Sequence, residues 1–279
     1  MSRTFHLQSL RRGPLRLLYR DGEASEPLLE AAEIARRAHP VPRTNNQPPV
    51  GEGAWWLHGG DRANVVGVRL SGHDDVCVKF FHDARLRVRV RNFLGFSKAR
   101  KAFRLGLELE RTGVVGPRVV ALAEYRPFGP CLLMMELLPS AVALEEILLN
   151  RAGPAAGVWP SISDLARMIG RFTGRMHRAG VTHMDFSSRN ILIAATAGGP
   201  AVYLVDFEDL RFGRGDQERA RFADLAALNH DIRKLVPVRE RLRFLHDYAS
   251  ALGQSAPDQI RLMRKLFRRE VDRKVLDSG

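Results

Sequence analysis

Three residues that could support phosphoryl transfer lie at fixed spacings in two segments of the chain. In VTHMDFSSRNILI, Asp185 follows His183 by two positions and precedes Asn190 by five, and Asp206 closes the later run VYLVDF. Phosphoryl transfer from a nucleotide requires a carboxylate that orients the acceptor hydroxyl and oxygen ligands for Mg²⁺. Asp185 is therefore a candidate for the first role, and Asn190 and Asp206 are candidates for the second.

A cation and a pair of glycines precede these residues. Lys79 lies within the apolar run VCVKFF, where a buried ammonium is unfavourable without an anionic partner, and a nucleotide phosphate is such a partner. Gly59 and Gly60 fall in a turn between two strand-like segments, where glycine lets backbone amides approach phosphate oxygens. The first half of the chain is thus predicted to bind phosphate.

The patterns around these residues change from strand to helix along the chain. Residues 55–82 predict a three-stranded meander, followed by a helix from Ser97 to about Arg111 and by the strands PRVVALAEY and PCLLMMELL. Helical patterns dominate after about residue 140, and the hairpin NILIAA/AVYLVDF links the acidic residues. This order predicts an α+β fold with a β-rich first lobe, a mainly helical second lobe and a cleft between them.

Domain boundaries follow from the same patterns. Residues 1–54 hold a strand candidate (LRLLYRDG), a helix candidate (EPLLEAAEIARRAH) and a proline-rich stretch that breaks both patterns, so they are predicted to be an N-terminal elaboration and linker. The main domain is predicted over 55–279, with lobes at about 55–138 and 139–279. Within the second lobe, the helix SDLARMIGRFTGRMHRAG should begin after Ser163, and further helical patterns lie at 217–235, 238–252 and 257–276.

Composition restricts the class of protein. The 44 Lys+Arg exceed the 31 Asp+Glu, and the net charge of +13 favours phosphates, nucleic acid or an anionic membrane surface as partners. Cys77 and Cys131 lie in apolar runs, which is typical of reduced thiols in the cytoplasm. No leader and no apolar run of roughly 20 residues is present, so we expect neither secretion nor a membrane span. The sequence lacks the aromatic-basic motif of proteins that bind single-stranded nucleic acid, and no specific nucleic acid is expected as a partner.

The motif H-x-D-F-x-x-x-N-I-L at 183–192, followed by VDFE and preceded by a strand lysine, resembles the protein-kinase-like fold. More narrowly, VCVKFF, RMHRAGVTHMDFSSRNILI and YLVDFEDLRFG are similar to segments of the bacterial lipopolysaccharide core kinases, the heptose and Kdo kinases. The resemblance covers most of 55–235. It implies an ATP- and Mg²⁺-dependent kinase that phosphorylates a sugar hydroxyl, in lipopolysaccharide core, at the inner face of the cytoplasmic membrane.

The resemblance also implies individual roles. Asp185 would be the catalytic aspartate, and Asn190 and Asp206 would hold Mg²⁺. The other implied roles are Lys79 at the α- and β-phosphates, Gly59 and Gly60 at the phosphates, backbone groups of Glu136 and Leu138 at adenine, His183 as a brace of the loop, and Asp224 as its anchor from beneath.

The sequence departs from the family pattern in three places. The glycine turn reads HGGDRANVV, the metal motif ends in glutamate rather than glycine, and Ala102 stands where a helix glutamate should pair with Lys79. Glu108 and Glu110 are the alternative partners. Two other functions stay open: a small-molecule phosphotransferase of the aminoglycoside or choline type, and a nucleotide-binding pseudokinase that serves as a basic docking module.

Two groups of basic residues have alternative interpretations. Segment 84–104, ARLRVRVRNFLGFSKARKAFR, could bind an anionic glycolipid, a phosphosugar or an anionic membrane, with Phe93, Leu94 and Phe96 toward lipid. Alternatively, it is an edge strand protected by charges, with the aromatic residues in the core. The arginines at 167, 171, 175 and 178 recur along one helix and are expected to be a solvated face.

Overall fold

The chain forms two compact units in a computed structural model. The model describes residues 6–38, 53–59, 63–81, 96–127, 129–150, 159–213, 217–255, 258 and 261. Unit 1 comprises Met1–Arg111 and Pro117–Leu138, and unit 2 comprises Thr112–Gly116 and Pro139–Gly279. The predicted helix over 257–276 lies almost entirely outside the described residues, as do Gly60 and the basic residues of 85–95.

Unit 1 is built on a seven-stranded antiparallel sheet in the order β1-β2-β6-β7-β5-β4-β3. The strands are β1 (Leu7–Arg12), β2 (Leu15–Arg20), β3 (Ala54–Gly59), β4 (Ala63–Val68), β5 (Val76–Phe81), β6 (Val119–Tyr125) and β7 (Cys131–Glu136). The predicted meander and the two later strands are confirmed. LRLLYRDG forms β2, whereas its hairpin partner β1 was not predicted.

The N-terminal helix α1 (Ser25–Ala38) shares the core of this sheet. Leu28, Ala31 and Ala35 of α1 lie in the same buried cluster as Val78 and Leu132 of the central strands. The alternation of β5 explains this arrangement, since Val76, Val78 and Phe80 join the cluster while Cys77 and Lys79 lie on the opposite side of the strand. Residues 7–38 are therefore an integral part of unit 1.

Helix α2 (Lys98–Thr112) starts and ends as the sequence predicts. The Ser97 hydroxyl accepts a hydrogen bond of 3.0 Å from the Arg100 N–H, and Gly113 follows the helix with a φ of +75°. Ala102 is fully buried on the packed face of the helix. Phe96, just before the cap, has 70% of its surface exposed, so for this residue the interpretation as a core aromatic is wrong.

Two arginine-carboxylate pairs connect α2 to the sheet. Glu110 of α2 accepts bonds of 2.8 and 3.0 Å from Arg20 of β2. Arg100 of α2 donates bonds of 2.7 and 2.6 Å to the two carboxylate oxygens of Glu124, a buried residue of β6. These charge-assisted bonds fix both ends of α2 against strands that are distant in sequence.

Unit 2 is mainly helical. Its helices are α3 (Leu144–Leu149), α4 (Ile162–Arg178), α5 (Gln217–Ile232) and α6 (Val238–Leu252). Its strands are β8 (Val142–Ala143), β9 (Val181–His183), β10 (Ile191–Thr196), β11 (Gly199–Leu204) and β12 (Leu210–Phe212), which pair as β11-β10-β8 and β12-β9. The predicted hairpin is β10-β11.

Helix α4 begins two residues earlier than predicted because Ser161, not Ser163, is its cap. The Ser161 hydroxyl accepts a bond of 3.1 Å from the Asp164 N–H. Two glycines then allow α6 to pack closely on α4. A Cβ at Gly170 or Gly174 would lie 2.5 Å from a backbone carbonyl oxygen of α6, so any larger residue would separate the helices.

None of the helices in the described ranges combines the length and the apolar character needed to cross a bilayer.

Candidate active site

The loop that carries Asp185 connects β9 to β10 in unit 2. Strand β9 pairs with β12, and the loop ends in a 3₁₀ turn at Ser188–Asn190 before β10 begins. The Met184 N–H donates a bond of 3.0 Å to the Asp209 carbonyl oxygen. The loop is thereby joined directly to the segment that follows Asp206.

His183 braces the loop from within. Its ring is fully buried, and Nδ1 accepts a bond of 3.2 Å from the Asp185 N–H. The ring proton therefore lies on Nε2, which faces the carbonyl oxygens of Val205 at 3.1 Å and Asp206 at 3.2 Å. One imidazole ring thus fixes the backbone at both Asp185 and Asp206, as the predicted brace requires.

Asp224 of α5 anchors this brace from beneath. Its buried Oδ2 accepts the His183 N–H at 2.8 Å and lies 3.1 Å from Nε2 of His177. His177 Nδ1 lies 3.0 Å from the Tyr248 hydroxyl. Burial lowers the pKa of His177, so the neutral ring donates from Nε2 to Asp224 and accepts from Tyr248. His177 is therefore a structural histidine with both ring nitrogens hydrogen-bonded.

Close packing of α4 and α6 explains how Tyr248 reaches this network. The Cβ that Gly174 lacks would lie 2.5 Å from the Tyr248 carbonyl oxygen. The small residue therefore places the backbone of Tyr248 one turn of α4 from His177. Burial also raises the pKa of the Tyr248 hydroxyl, which keeps it a hydrogen-bond donor.

The end of the loop is held by polar side chains. The Asn190 Nδ2–H donates a bond of 2.8 Å to the Asp185 carbonyl oxygen. Ser188 donates both its N–H, at 2.7 Å, and its hydroxyl to Asp231 of α5. Because the Asn190 amide nitrogen donates to the Asp185 carbonyl oxygen, the amide oxygen of Asn190 is the atom that could coordinate a cation.

Three carboxylates converge beside this loop. One oxygen each of Asp185, Asp206 and Asp209 lies within 4.8 Å of the others. Asp185 is exposed and the other two are half-buried. Asp206 has a φ of +71°, in the left-handed region that side-chain-bearing residues rarely adopt. Carboxylate oxygens at this spacing are suitable ligands for a divalent cation.

Sequence reasoning missed Asp209. The signal in the segment VDFED is the spacing of three residues between Asp206 and Asp209, and the structure places a 3₁₀ turn at Phe207–Asp209. Residues three apart align on one side of such a turn. Recognising the turn from sequence would have required knowing that Asp206 adopts the left-handed conformation.

The predicted nucleotide-binding residues lie in unit 1. Lys79 is half-buried in β5 between Val65 of β4 and Leu133 of β7, and its ammonium lies 5.0 Å from the centre of the Phe81 ring. Burial raises the pKa of the neighbouring Cys77 thiol to about 12, which makes this thiol unreactive.

The other predicted contacts in unit 1 are backbone groups. Gly59 ends β3 opposite Asn64 of β4. At the end of β7, the Glu136 N–H donates a bond of 2.8 Å to the Arg118 carbonyl oxygen. The carbonyl oxygen of Glu136 and the backbone of Leu138, two residues later, are the groups that adenine could use.

Glu110 of α2 is one of the two predicted partners of Lys79. Both oxygens of Glu110 accept bonds from Arg20, and one also accepts the Val119 N–H at 3.3 Å. The Glu110 carboxylate thereby connects α2 to β2 and β6. The pairing of Lys79 with Glu108 or Glu110 stays a prediction.

The sheet-rich unit, the helical unit and the braced loop with its aspartates and asparagine define a kinase-like protein. The model of the lipopolysaccharide kinase (Kdo/WaaP) family matches residues 78–248, more than half of the chain, and the chain belongs to this family. It is a sugar kinase of lipopolysaccharide core. Membership favours this function over the small-molecule phosphotransferase and the pseudokinase.

The solved structures that are similar to the chain include a WaaP structure and a Rio2 kinase structure. The structure described as "WaaP in complex with acyl carrier protein" matches with a TM-score of 0.50 and 22% identity, over 77% of this chain and 86% of that one. The Rio2 kinase-ADP/Mg²⁺-phosphoaspartate complex from Chaetomium thermophilum matches with a TM-score of 0.49 and 14% identity, over 88% and 75%. The first likeness confirms the predicted α+β, protein-kinase-like fold. A comparison with curated proteins gave no match.

Proposed function

We propose that this kinase transfers the γ-phosphoryl group of ATP, with Mg²⁺, to a hydroxyl group of a lipopolysaccharide core sugar. The observation that carries the proposal is the convergence of Asp185, Asp206 and Asp209 on a loop whose backbone His183 fixes. Family membership supports the phosphotransferase chemistry. The oxygen ligands supply the groups that a nucleotide-metal complex requires.

Asp185 is the proposed catalytic residue. Its carboxylate is exposed, whereas its backbone N–H and carbonyl oxygen are held by His183 and Asn190. A carboxylate on a fixed backbone can accept a hydrogen bond from the acceptor hydroxyl and take its proton as the new bond forms. Fixing the loop keeps this carboxylate in one position and so limits the loss of entropy in the transition state.

Asn190 and Asp206 are the proposed Mg²⁺ ligands. Amide and carboxylate oxygens match the preference of this cation for hard ligands, and Asp209 adds a third carboxylate to the set. When bound, Mg²⁺ would neutralise charge on the phosphates of ATP. The His183 ring holds the backbone of Asp206 by its carbonyl oxygen, which keeps the ligand in place in the free protein.

Unit 1 is proposed to bind the nucleotide. Lys79 would contact the α- and β-phosphates, and the backbone at Gly59 and Gly60 would contact phosphate oxygens. The Glu136 carbonyl oxygen and the Leu138 N–H would bind adenine. The bond from the Glu136 N–H to Arg118 supports this choice, because it leaves the carbonyl oxygen of Glu136 as the acceptor at this position.

The kinase-like domain is proposed to extend over 55–279, with lobes at about 55–138 and 139–279. Residues 1–54 would be an elaboration that completes the sheet and the core of unit 1. The burial of Leu28 and Ala32 of α1 beside Val78 supports a stabilising role for this elaboration.

The proposed partners are an anionic glycolipid substrate and, peripherally, the cytoplasmic face of an anionic membrane. The net charge of +13 supports both. Phe96 is exposed at the start of α2, and Lys98, Lys101 and Arg104 are exposed along that helix, a combination typical of peripheral contact with lipid. Acyl carrier protein is a second candidate partner, because a solved WaaP structure contains it.

The proposed activity can be tested with purified protein, radiolabelled ATP, Mg²⁺ and deacylated lipopolysaccharide core. We expect the wild type to label the core fraction and Asp185→Ala to reduce the rate by about 10²- to 10⁴-fold. Asp74→Ala, which removes an exposed aspartate from a turn of unit 1, is the matched control and should retain the rate. Equal rates for Asp185→Ala and the wild type would refute the catalytic role, and no labelling by the wild type would refute the proposed acceptor.

A further inference from the structure

The loop between β9 and β10 exposes only a few of its side chains. Met184 has 62% of its surface exposed, the side chain of Arg189 has 64%, and Asp185 is also exposed. The residues between Asp185 and Arg189 are buried: Phe186, Ser187 and Ser188. A substrate that reaches Asp185 therefore meets Arg189 as the exposed cation of the same loop.

The backbone brings Arg189 close to Asp185. The bond from Asn190 Nδ2 to the Asp185 carbonyl oxygen joins the two ends of the loop at 2.8 Å, and Arg189 is the residue next to Asn190. On its other side, Ser188 is fixed by two bonds to Asp231. Arg189 thus has a fixed backbone within a loop that is closed on Asp185.

The guanidinium of Arg189 is only weakly neutralised. Its Nε lies 4.0 Å from Glu145 of α3, with 64% and 37% of the two side chains exposed. An ion pair of this length between exposed groups contributes little in solution, because water screens it. A ligand anion that forms direct hydrogen bonds could therefore displace Glu145.

We propose that Arg189 binds an anionic group, carboxylate or phosphate, that neighbours the acceptor hydroxyl on the sugar. This inference rests on the proposed function, since it concerns the acceptor of that reaction. The planar guanidinium can form two parallel hydrogen bonds to either anion, which orients the sugar as well as attracting it. Arg189 is thereby a specificity-determining residue that favours acidic sugars over neutral ones.

The test is steady-state kinetics of the full chain with three acceptors: deacylated lipopolysaccharide core, its carboxyl-reduced form and its dephosphorylated form. For the intact core, Arg189→Ala should raise KM by about 10- to 100-fold, the range lost with a hydrogen bond to a charged group. The kcat and the KM for ATP should stay unchanged, and Arg189→Lys should recover part of the loss. Arg175→Ala, an exposed arginine of α4 in the same unit, is the matched control and should behave as the wild type.

The modified acceptors identify the anion. On the form that lacks the recognised group, the wild type and Arg189→Ala should have equal KM values, both as high as that of Arg189→Ala on the intact core. Two results would overturn the proposal while leaving the kinase activity intact. One is a wild-type KM that is the same on all three acceptors, and the other is a rise in KM by the same factor on all three acceptors in Arg189→Ala. If the wild type phosphorylates none of them, the proposed function fails and this inference fails with it.

Discussion

Helix α2 in unit 1 and the Asp185 loop in unit 2 are held in place by different kinds of contact. Two ion pairs attach α2 to the sheet, Arg20–Glu110 and Arg100–Glu124, and each pair includes at least one side chain that reaches water. The loop is attached by hydrogen bonds through His183, Asp224 and His177, all of which are buried.

The difference shows where this fold tolerates change. A partly exposed ion pair is screened by water and salt, so its contribution varies with conditions. A buried hydrogen bond contributes little more when present, but its loss leaves an unsatisfied polar group that destabilises the protein strongly. The bonds of Asp224 to His183 and His177, which support the loop of the proposed catalytic aspartate, are thus shielded from ions and solvent.

The largest effect is expected from breaking the buried network. Asp224→Ala removes the acceptor of the His183 N–H and of His177 Nε2–H. Two unsatisfied buried donors should lower the free energy of unfolding by about 2–4 kcal/mol, measured by urea denaturation. Asp247→Ala, which removes a 3.7 Å pair with the exposed Arg171, should lower it by less than about 1 kcal/mol. Equal losses of unfolding free energy in the two variants would show that the buried network stabilises the protein no more than an exposed ion pair does.

A substitution at Asp209 can test metal binding without disturbing the loop that His183 braces. Its backbone carbonyl oxygen accepts the Met184 N–H, and a change to asparagine leaves that bond in place. Asp209→Asn should therefore keep the unfolding free energy and raise the Mg²⁺ concentration for half-maximal activity by about 10-fold. The measurement is phosphoryl transfer against Mg²⁺ concentration. An unchanged Mg²⁺ dependence would place Asp209 outside the metal site.

The buried histidine predicts a pH dependence for the same network. Burial lowers the pKa of His177 below its ordinary value of 6.5, so below about pH 6.5 the unfolded chain binds a proton that the folded chain does not. Stability should be complete above that pH and fall as the pH decreases, by up to about 1.4 kcal/mol per pH unit. Urea denaturation between pH 7.5 and pH 5.5, a range chosen around the pKa of histidine, measures this slope.

The control for this slope is a pair of variants. His177→Gln can still donate to Asp224 and accept from Tyr248 but cannot titrate, so it should reduce the slope. His246→Gln, on the exposed side of α6, should keep the slope of the wild type. If His177→Gln retains the full slope, the pH dependence has another source.

The fold could be predicted wherever a local pattern determines the structure. The predicted bounds of α2, Ser97 and about Arg111, agree with the structure, because capping depends on neighbouring residues alone. Strand β1 was missed because LQSLRR has no apolar alternation. Most of its residues are exposed, and pairing with β2 alone defines it as a strand.

In the candidate site, too, local contacts could be predicted from the sequence and long-range contacts could not. The spacing of His183, Asp185 and Asn190 reflects a local loop geometry, and the structure shows the bonds that this spacing permits. The partner of Glu110 could not be predicted, because Arg20 lies 90 residues away in the sequence and reaches α2 only through the sheet. Long-range pairs depend on topology, which a single sequence pattern does not specify.

The smallest effect is expected from the ion pairs of α2. A double-mutant cycle with Arg20→Met and Glu110→Gln should give a coupling free energy of about 1 kcal/mol or less in 0.1 M salt. Glutamine at 110 can still accept the Val119 N–H, so the cycle isolates the charged pair. Because the Debye length falls from about 10 Å at 0.1 M to about 3 Å at 1 M, the coupling should shrink in high salt.

The pair of Arg100 with Glu124 provides the internal comparison for that cycle. The exposed fractions of the side chains are 35% for Arg100 and 5% for Glu124, against 16% for both Arg20 and Glu110, so salt should reduce the two couplings to a similar extent. A coupling that is lost in high salt for one pair and kept for the other would contradict this explanation, because screening should follow the exposure of the whole pair. A coupling that persists in 1 M salt for both pairs would mean that salt does not weaken the attachment of α2 to the sheet. Helix α2 and the Asp185 loop would then differ only in the type of contact that holds them, ion pairs in one and hydrogen bonds in the other.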